Sequence, residues 1–534
     1  MIRLVQELSD RRFDVVVLGG GVLGACVARD CAMRGLETAL VEQSDFGAAT
    51  SANSLKVVHG GLRHLQHGDL AELRSSARER TNWLRIAPHL VRPLPVVLPL
   101  VGGSWEPLMY RTALAINDAL TTGRNSGLAP GQEIPDGRRL SKQECLDRIP
   151  GLDASTLSGG VLYHDAQMYS SERLVLAVVQ SAVEAGAVAV NHVECTGPLL
   201  DGGRRVGVNV LDRIDGSTHA VRARVVINAA GPGASKIDAH LFSRVAPEPV
   251  KFSLAWNLVL GSVGLDAACA LPGVDATPTG RGGERPRRLF VVPWRGRTLV
   301  GTGHAAYAGE AGDFEGMGHD HPAMASFLAE LNAGWFGDPI RAEDVIIIHS
   351  GLLPAHPAVA GEVQLRRRHI LAESDAGGVP VLTATTVKFT AARRLAEYTT
   401  DRACRILGHR APCRTAVTPL PGAPPRGMDS LLREARESFG SRLEDDVLDH
   451  LAHTHGTGLS DLLTDAATGA FARVSPNAPV LEAQWMHAIR EEMAVTVDDL
   501  LLRRTELGAR GLVDEGIRDR AEKLLAEGFA EVRQ

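Results

Sequence analysis

The stretch Phe13-Asp-Val-Val-Val-Leu-Gly-Gly-Gly-Val-Leu-Gly24 decides the architecture. Its β-branched run at 13–18 suits a buried parallel strand, and Gly19-x-Gly21-x-x-Gly24 follows at once. Residues 25–34 have helical composition, Gly35 can end the helix, and T-A-L-V-E at 38–42 reads as a second strand. The three glycines allow a tight turn and close backbone approach, so a pyrophosphate can rest on the helix N-terminus. Glu42, at the end of the second strand, suits ribose hydroxyls. This β-α-β unit is a dinucleotide site, and the glycines alone leave FAD and NAD both open.

Outward from it, segment 47–63 (G-A-A-T-S-A-N-S-L-K-V-V-H-G-G-L-R) is rich in small and hydroxylic residues, Thr50, Ser51 and Ser54 among them. Such a loop can run beside a flavin and offer backbone N–H groups. The strand and turn at 225–232 (V-V-I-N-A-A-G-P), with Gly231, can close the other side. Further α/β elements are expected at 173–185, 187–190, 206–211, 381–386 and 389–407. The intervening stretches differ in character. Short strands at 258–260, 289–292 and 298–301, separated by Gly, Pro and Arg, suggest an inserted antiparallel sheet.

The expected fold is α/β, with a discontinuous Rossmann-like nucleotide-binding domain at 11–90, 150–245 and 340–417. A substrate domain takes 91–149 and 246–339. Beyond the linker T-P-L-P-G-A-P-P-R-G at 418–427, residues 428–534 read as a helical domain that caps the assembly without cofactor contacts.

Composition narrows the function. The 534 residues are 44% hydrophobic and 22% charged, ordinary for a globular protein with sizeable cores. A net charge of −6 and only 4% aromatics argue against nucleic acid as a partner. Seven scattered cysteines without a C-x-x-C indicate neither disulfides nor zinc and fit a reducing cytoplasm. The apolar run at 93–103 is too short for a membrane span and is broken by Pro95 and Pro99. His450, His453 and His455 lack a completing carboxylate, so no metal is expected. The arginines of 281–297 read as a solvated loop, with contact to anionic lipid at the inner face of a membrane as the alternative.

The sequence resembles the FAD-dependent glycerol-3-phosphate dehydrogenase family, as a divergent member. The resemblance rests on D-V-V-V-L-G-G-G-V-L-G-A-C-V-A-R-D at 14–30, A-T-S-A-N-S-L-K-V-V-H-G-G-L-R-H-L at 49–65 and A-P-H-L-V-R-P-L at 87–94. It continues in D-A-Q-M-Y-S-S-E-R-L at 165–174, V-I-N-A-A-G-P at 226–232, the stretch 290–307, K-F-T-A-A-R-R-L-A-E at 388–397 and I-R-E-E-M-A-V-T-V-D-D-L-L-L-R-R-T at 489–505. It implies noncovalent FAD, oxidation of a secondary alcohol to a ketone by hydride transfer, and quinone or oxygen as acceptor; a homodimer and peripheral membrane contact stay open.

By the same resemblance His59 takes the alcohol proton, Arg63 holds an anion or polarises the carbonyl oxygen, and Lys388 is the cation beside the flavin. Arg367 matches an arginine near the substrate phosphate. Leu353 stands where the family's S-G-x-R-P turn has its phosphate-binding arginine. The Gly-Gly before the lysine is Thr386-Val387, the acid of G-T-T-D is His304, and the histidine of K-G-S-H is Leu254. The cofactor half is thus intact while the substrate half has changed. Weak activity on glycerol 3-phosphate is therefore expected. Two alternatives are an oxidase or dehydrogenase of an unphosphorylated polyol, hydroxy acid or amine, and a catalytically degenerate FAD-binding partner protein.

Overall fold

The computed structural model describes residues 1–62, 64, 68–101, 114–241, 250–271, 288–335, 337–357, 364–375, 377–465 and 468–532. Among them two large sheets stand out. The first runs in the order Ile370–Ser374, Val381–Thr385, Thr218–Asn228, Arg12–Leu18, Thr38–Val41, Val188–Val190. Arg12–Leu18 sits centrally, parallel to Thr218–Asn228 on one side and Thr38–Val41 on the other, and is buried along most of its length. Both its faces are covered, which is why Val15, Val16 and Val17 are consecutive rather than alternating with polar residues. Helix Val22–Met33 packs between helices Ser171–Glu184 and Ala392–Leu407. Val193–Asp201 and Arg204–Asp212 extend the sheet as an antiparallel flap.

The second sheet runs Val345–Ala355, Lys251–Gly261, Arg297–Ala306, Leu289–Trp294, Ala268–Leu271, Val91–Val101, Leu157–Met168, Val57–Val58. Its pairs are antiparallel except that Ala268–Leu271 lies parallel to Val91–Val101. One face packs on an apolar cluster that includes Trp256, Phe327, Leu331 and Leu352.

Two features differ from the ranges expected above. Leu157–Met168 and Val345–Ala355, expected within the nucleotide-binding segments, pair in the second sheet instead. Their partners, Val91–Val101 and Lys251–Gly261, are distant in sequence, so nothing local marks them. The C-terminal part contains a hairpin, Arg473–Ser475 with Ala478–Leu481, besides its helices.

The linker is also less independent than its composition suggests. Leu420 is buried and its N–H bonds Ile86 O, while Thr457 N–H bonds Gly422 O. The buried Arg29 side chain donates to Thr415 O at 3.1 Å and Thr418 O at 2.7 Å. Prolines and glycines here shape a fitted connection. Among the described residues no helix is long and apolar enough to cross a membrane. The 281–287 part of the arginine-rich loop lies outside the described residues.

Candidate active site

The glycine turn has the form its sequence requires. Gly19 has φ +102°, and a Cβ there would lie 2.7 Å from Ala230 Cα. A Cβ on Gly24 would fall 1.8 Å from Gly19 O, so strand end and helix meet with no room for a side chain. Gly21 begins helix Val22–Met33 with no side chain of its own capping it. Its missing Cβ would meet Ser51 Oγ at 3.3 Å, and Ser51 Oγ accepts the Val22 N–H at 3.0 Å. Opposite, Gly231 has φ +56° and open space where a Cβ would stand. A helix start whose first amide is held by Ser51 and whose Gly21 carries no side chain fits a pyrophosphate, because the remaining amides and the helix dipole both favour an anion there.

Glu42 ends the second strand. Its carboxylate accepts from Gly20 N–H at 2.6 Å and Ser44 N–H at 2.8 Å. Burial pushes its pKa up, against the lowering effect of those amides. The other expected loop hydroxyls turn to the protein instead. Thr50 donates to Leu352 O at 3.3 Å, and Ser54 Oγ accepts the Lys56 N–H at 3.2 Å.

His59 follows Val57–Val58, which pairs with Gln167 and Ala166. That register sets His59 opposite Asp165. His59 Nδ1 lies 2.9 Å from Asp165 Oδ2, while Gly60 N–H donates to Asp165 Oδ1 at 2.6 Å. Arg80, from helix Leu70–Ile86, donates to His164 O at 2.6 Å and reaches Asp165 Oδ1 at 3.5 Å. Asp165 is buried, which opposes its ionisation, yet His59, Arg80 and the Gly60 amide outweigh this and hold its pKa below the ordinary carboxylate value. An ionised Asp165 accepts from Nδ1–H, so Nε2 is the ring's free acceptor. The imidazole is 42% exposed at its side chain. Phe290 supports it edge-on, with ring centroids 5.4 Å apart.

The motif H-G-G-L-R has a steric logic too. A Cβ on Gly60 would lie 2.2 Å from Arg80 Nη1, and one on Gly61 (φ +86°) would lie 2.7 Å from Ser76 Cβ. Arg63, the next expected site residue, lies outside the described residues.

Lys388 is not an isolated cation. Its Nζ is 2.8 Å from Glu72 Oε1, 2.9 Å from Ser76 Oγ and 3.3 Å from His64 Nε2. Leu353, half-buried, pairs with Ser253 and by strand alternation shares a face with Gly351, whose missing Cβ would touch Thr50. Arg367 is exposed on the segment before Ile370–Ser374. The structure therefore joins His59 to Asp165, and Lys388 to Glu72. Neither acid was singled out from sequence, although Asp165 heads the quoted motif 165–174.

The three C-terminal histidines are absorbed into packing. His450 meets Tyr169 Oη at 3.1 Å, His453 Nδ1 bonds His89 O at 2.8 Å, and His455 lies 3.3 Å from Arg173 Nη2. Two other groupings, His455/His487/Glu492 and Asp45/His192/Asp499, each bring three possible ligand atoms within 4.8 Å of one another. Arginines already hold Glu492 and Asp45, through Arg173–Glu492 at 2.6 Å and the Arg504–Asp45 pair, and Asp499 is 3.0 Å from His192.

Fold and site together define a flavoprotein oxidoreductase. Residues 14–402 match the family described as FAD dependent oxidoreductase, and 413–518 match the C-terminal domain of alpha-glycerophosphate oxidase. FAD is its cofactor. The chain is 30% identical over 523 residues to a glycerol-3-phosphate dehydrogenase of Synechocystis sp., covering 95% of this chain and 91% of that one. It is 31% identical to the mitochondrial glycerol-3-phosphate dehydrogenase of Mesocricetus auratus, over 95% of this chain and 69% of the relative. In fold it resembles the FAD complex of the Bacillus halodurans glycerol-3-phosphate dehydrogenase, with a TM-score of 0.72 and 24% identity over 98% of this chain and 96% of the other. This chain belongs to the FAD-dependent glycerol-3-phosphate dehydrogenase family.

Proposed function

We propose that the protein oxidises the secondary hydroxyl of a small polyol or hydroxy compound related to glycerol 3-phosphate, with FAD held noncovalently. The observation that carries this reading is the His59–Asp165 pair, 2.9 Å apart, which leaves the outer ring nitrogen as an acceptor. Bound FAD supplies the two-electron acceptor. His59 Nε2 removes the hydroxyl proton as the carbonyl forms, and Asp165 stabilises the resulting imidazolium and keeps the ring turned toward the substrate. Arg63 offers positive charge to the developing oxygen and Lys388 is the cation beside the flavin, although Glu72 balances the lysine.

Leu353 supports a changed substrate preference. An arginine at that place would give a phosphate charge-assisted bonds of about 1.5–3 kcal/mol each. Leucine gives none, leaving Arg367 and Arg63 as the matched cations. Glycerol 3-phosphate should therefore turn over weakly compared with a larger or unphosphorylated hydroxy compound. Quinone or oxygen receives the electrons.

An anaerobic screen of polyols, hydroxy acids, amines and glycerol 3-phosphate for flavin bleaching tests the reading. The expected result is bleaching by an alcohol that slows about 10²–10⁴-fold in His59→Ala. Bleaching by amines alone, or a His59→Ala protein within a few-fold of wild type, overturns it. Bleaching by none points to the degenerate binding protein.

A further inference from the structure

The C-terminal domain reaches the cofactor loop through two arginines. Arg504, at the end of the short helical segment Asp499–Arg504, is 1% exposed at its side chain. It forms a two-pronged pair with Asp45, through Nη1 to Oδ2 and through Nη2 to Oδ1 at 3.1 Å. The same guanidinium is aimed by Glu492 O, at 3.2 Å from Nε and 2.7 Å from Nη2. Asp45 is itself buried, and Asn191 donates to its Oδ1 at 2.9 Å. Arg503 donates to Ala48 O at 3.1 Å, three residues further along the loop.

That loop is the one which shapes the nucleotide turn. Gly47 N–H bonds Gly20 O at 3.0 Å, and Phe46 lies where a Cβ on Gly20 would stand, at 2.7 Å. Ser51 holds the first amide of the helix. Glu42 opens the same segment. From Arg504 to the glycine turn the path is therefore one ion pair, two residues of backbone and one hydrogen bond.

We propose that Arg504, assisted by Arg503, positions the 42–51 loop against the glycine turn and thereby sets how tightly FAD is retained. The domain then acts as a clamp on the cofactor loop, although it lacks a glycine-rich motif of its own. This rests on FAD binding, and stands whichever substrate is oxidised. The chemistry is specific: a planar guanidinium holds both oxygens of Asp45, whereas a lysine at 504 could hold only one.

The test is FAD affinity and release rather than turnover. Apo forms of wild type, Arg504→Gln, Arg504→Lys, Asp45→Asn and Arg503→Gln are titrated with FAD by flavin fluorescence, and melting is followed with and without FAD. Breaking the buried pair should weaken FAD binding about tenfold or more. Arg504→Lys should fall between wild type and Arg504→Gln, and the double variant Arg504→Gln/Asp45→Asn should be no worse than the poorer single. The melting-temperature rise on adding FAD should shrink in step. If Arg504→Gln does not fold, Arg503→Gln carries the test with a smaller increase in Kd and a faster release. A merely structural pair would lower apo and holo melting alike and leave Kd within twofold of wild type in every folded variant, and that result overturns the proposal.

Discussion

Replacing Asp165 by asparagine removes one charge and keeps the shape, which makes it the sharpest probe of the His59 site. Asp165 has three donors around it: His59 Nδ1 at 2.9 Å, Gly60 N–H at 2.6 Å and Arg80 Nη1 at 3.5 Å. In the variant the new side-chain amide oxygen must stay with Gly60 and Arg80, because both can only donate. The new NH₂ then faces His59 Nδ1, which has to become an acceptor. The ring hydrogen moves to Nε2, and the atom meant to take the substrate proton already carries one. The loss of one charge-assisted bond, about 1.5–3 kcal/mol, sets a floor of about 10- to 150-fold in rate. Loss of the base itself raises this to about 10²–10⁴-fold. The assay is anaerobic stopped-flow reduction of the flavin, with FAD content and melting measured on the same sample. The fall should appear in the reduction rate at saturating substrate. A fully flavin-loaded Asp165→Asn protein reducing within threefold of wild type would refute the reasoning.

Gly21→Val should give a folded but colourless protein, since its Cβ meets only Ser51 Oγ at 3.3 Å, whereas the branched side chain occupies the pyrophosphate approach; flavin absorbance and apo melting check both halves. Leu353→Arg should lower KM for glycerol 3-phosphate about tenfold or more by restoring charged donors, read by steady-state kinetics, and an unchanged KM would count against the substrate reading. Acid should destabilise the domain seam. Burial pushes His89 down to about 3 and His349 down to about 4. Unfolded histidine takes up a proton near pH 6.5 and these folded ones do not, so stability is complete above that value and falls as pH drops toward their folded pKa. At pH 5 the loss is roughly 2 kcal/mol for each, measurable as a lower urea midpoint at about pH 5 than at neutral pH. His89→Gln should flatten that slope.

The parts of the fold that were legible in sequence are those whose signals are local. Strand, glycine turn, helix and acid lie within residues 13–42, and each has a composition that admits few alternatives. The ends of Thr218–Asn228 and Val381–Thr385 were readable for the same reason, as short β-branched runs. Pairing was not readable. Leu157–Met168 joins the second sheet because Val91–Val101 lies beside it, and its own residues carry no mark of that neighbour.

The site divides in the same way. His59 and Lys388 stand in motifs, but Asp165 is 106 residues from His59, and only the register between Val57–Val58 and Leu157–Met168 unites them. Glu72 reads as an ordinary first-turn acid of a helix until Lys388 is seen beside it. The linker misled because prolines and glycines signal a break in regular structure, which is different from a break in packing.

Arg504 and Asp45 are 459 residues apart in the chain, and Arg173 and Glu492 are 319 apart. Ribosomes add about 5–20 residues per second, so Asp45 emerges roughly 20–90 s before its partner exists. During that interval its carboxylate lacks the guanidinium that neutralises it in the folded protein. The strand–glycine–helix unit therefore precedes by hundreds of residues the arginine that holds its neighbouring loop. A chain cut before residue 504 would keep Asn191 beside Asp45 and lose the guanidinium that balances its charge.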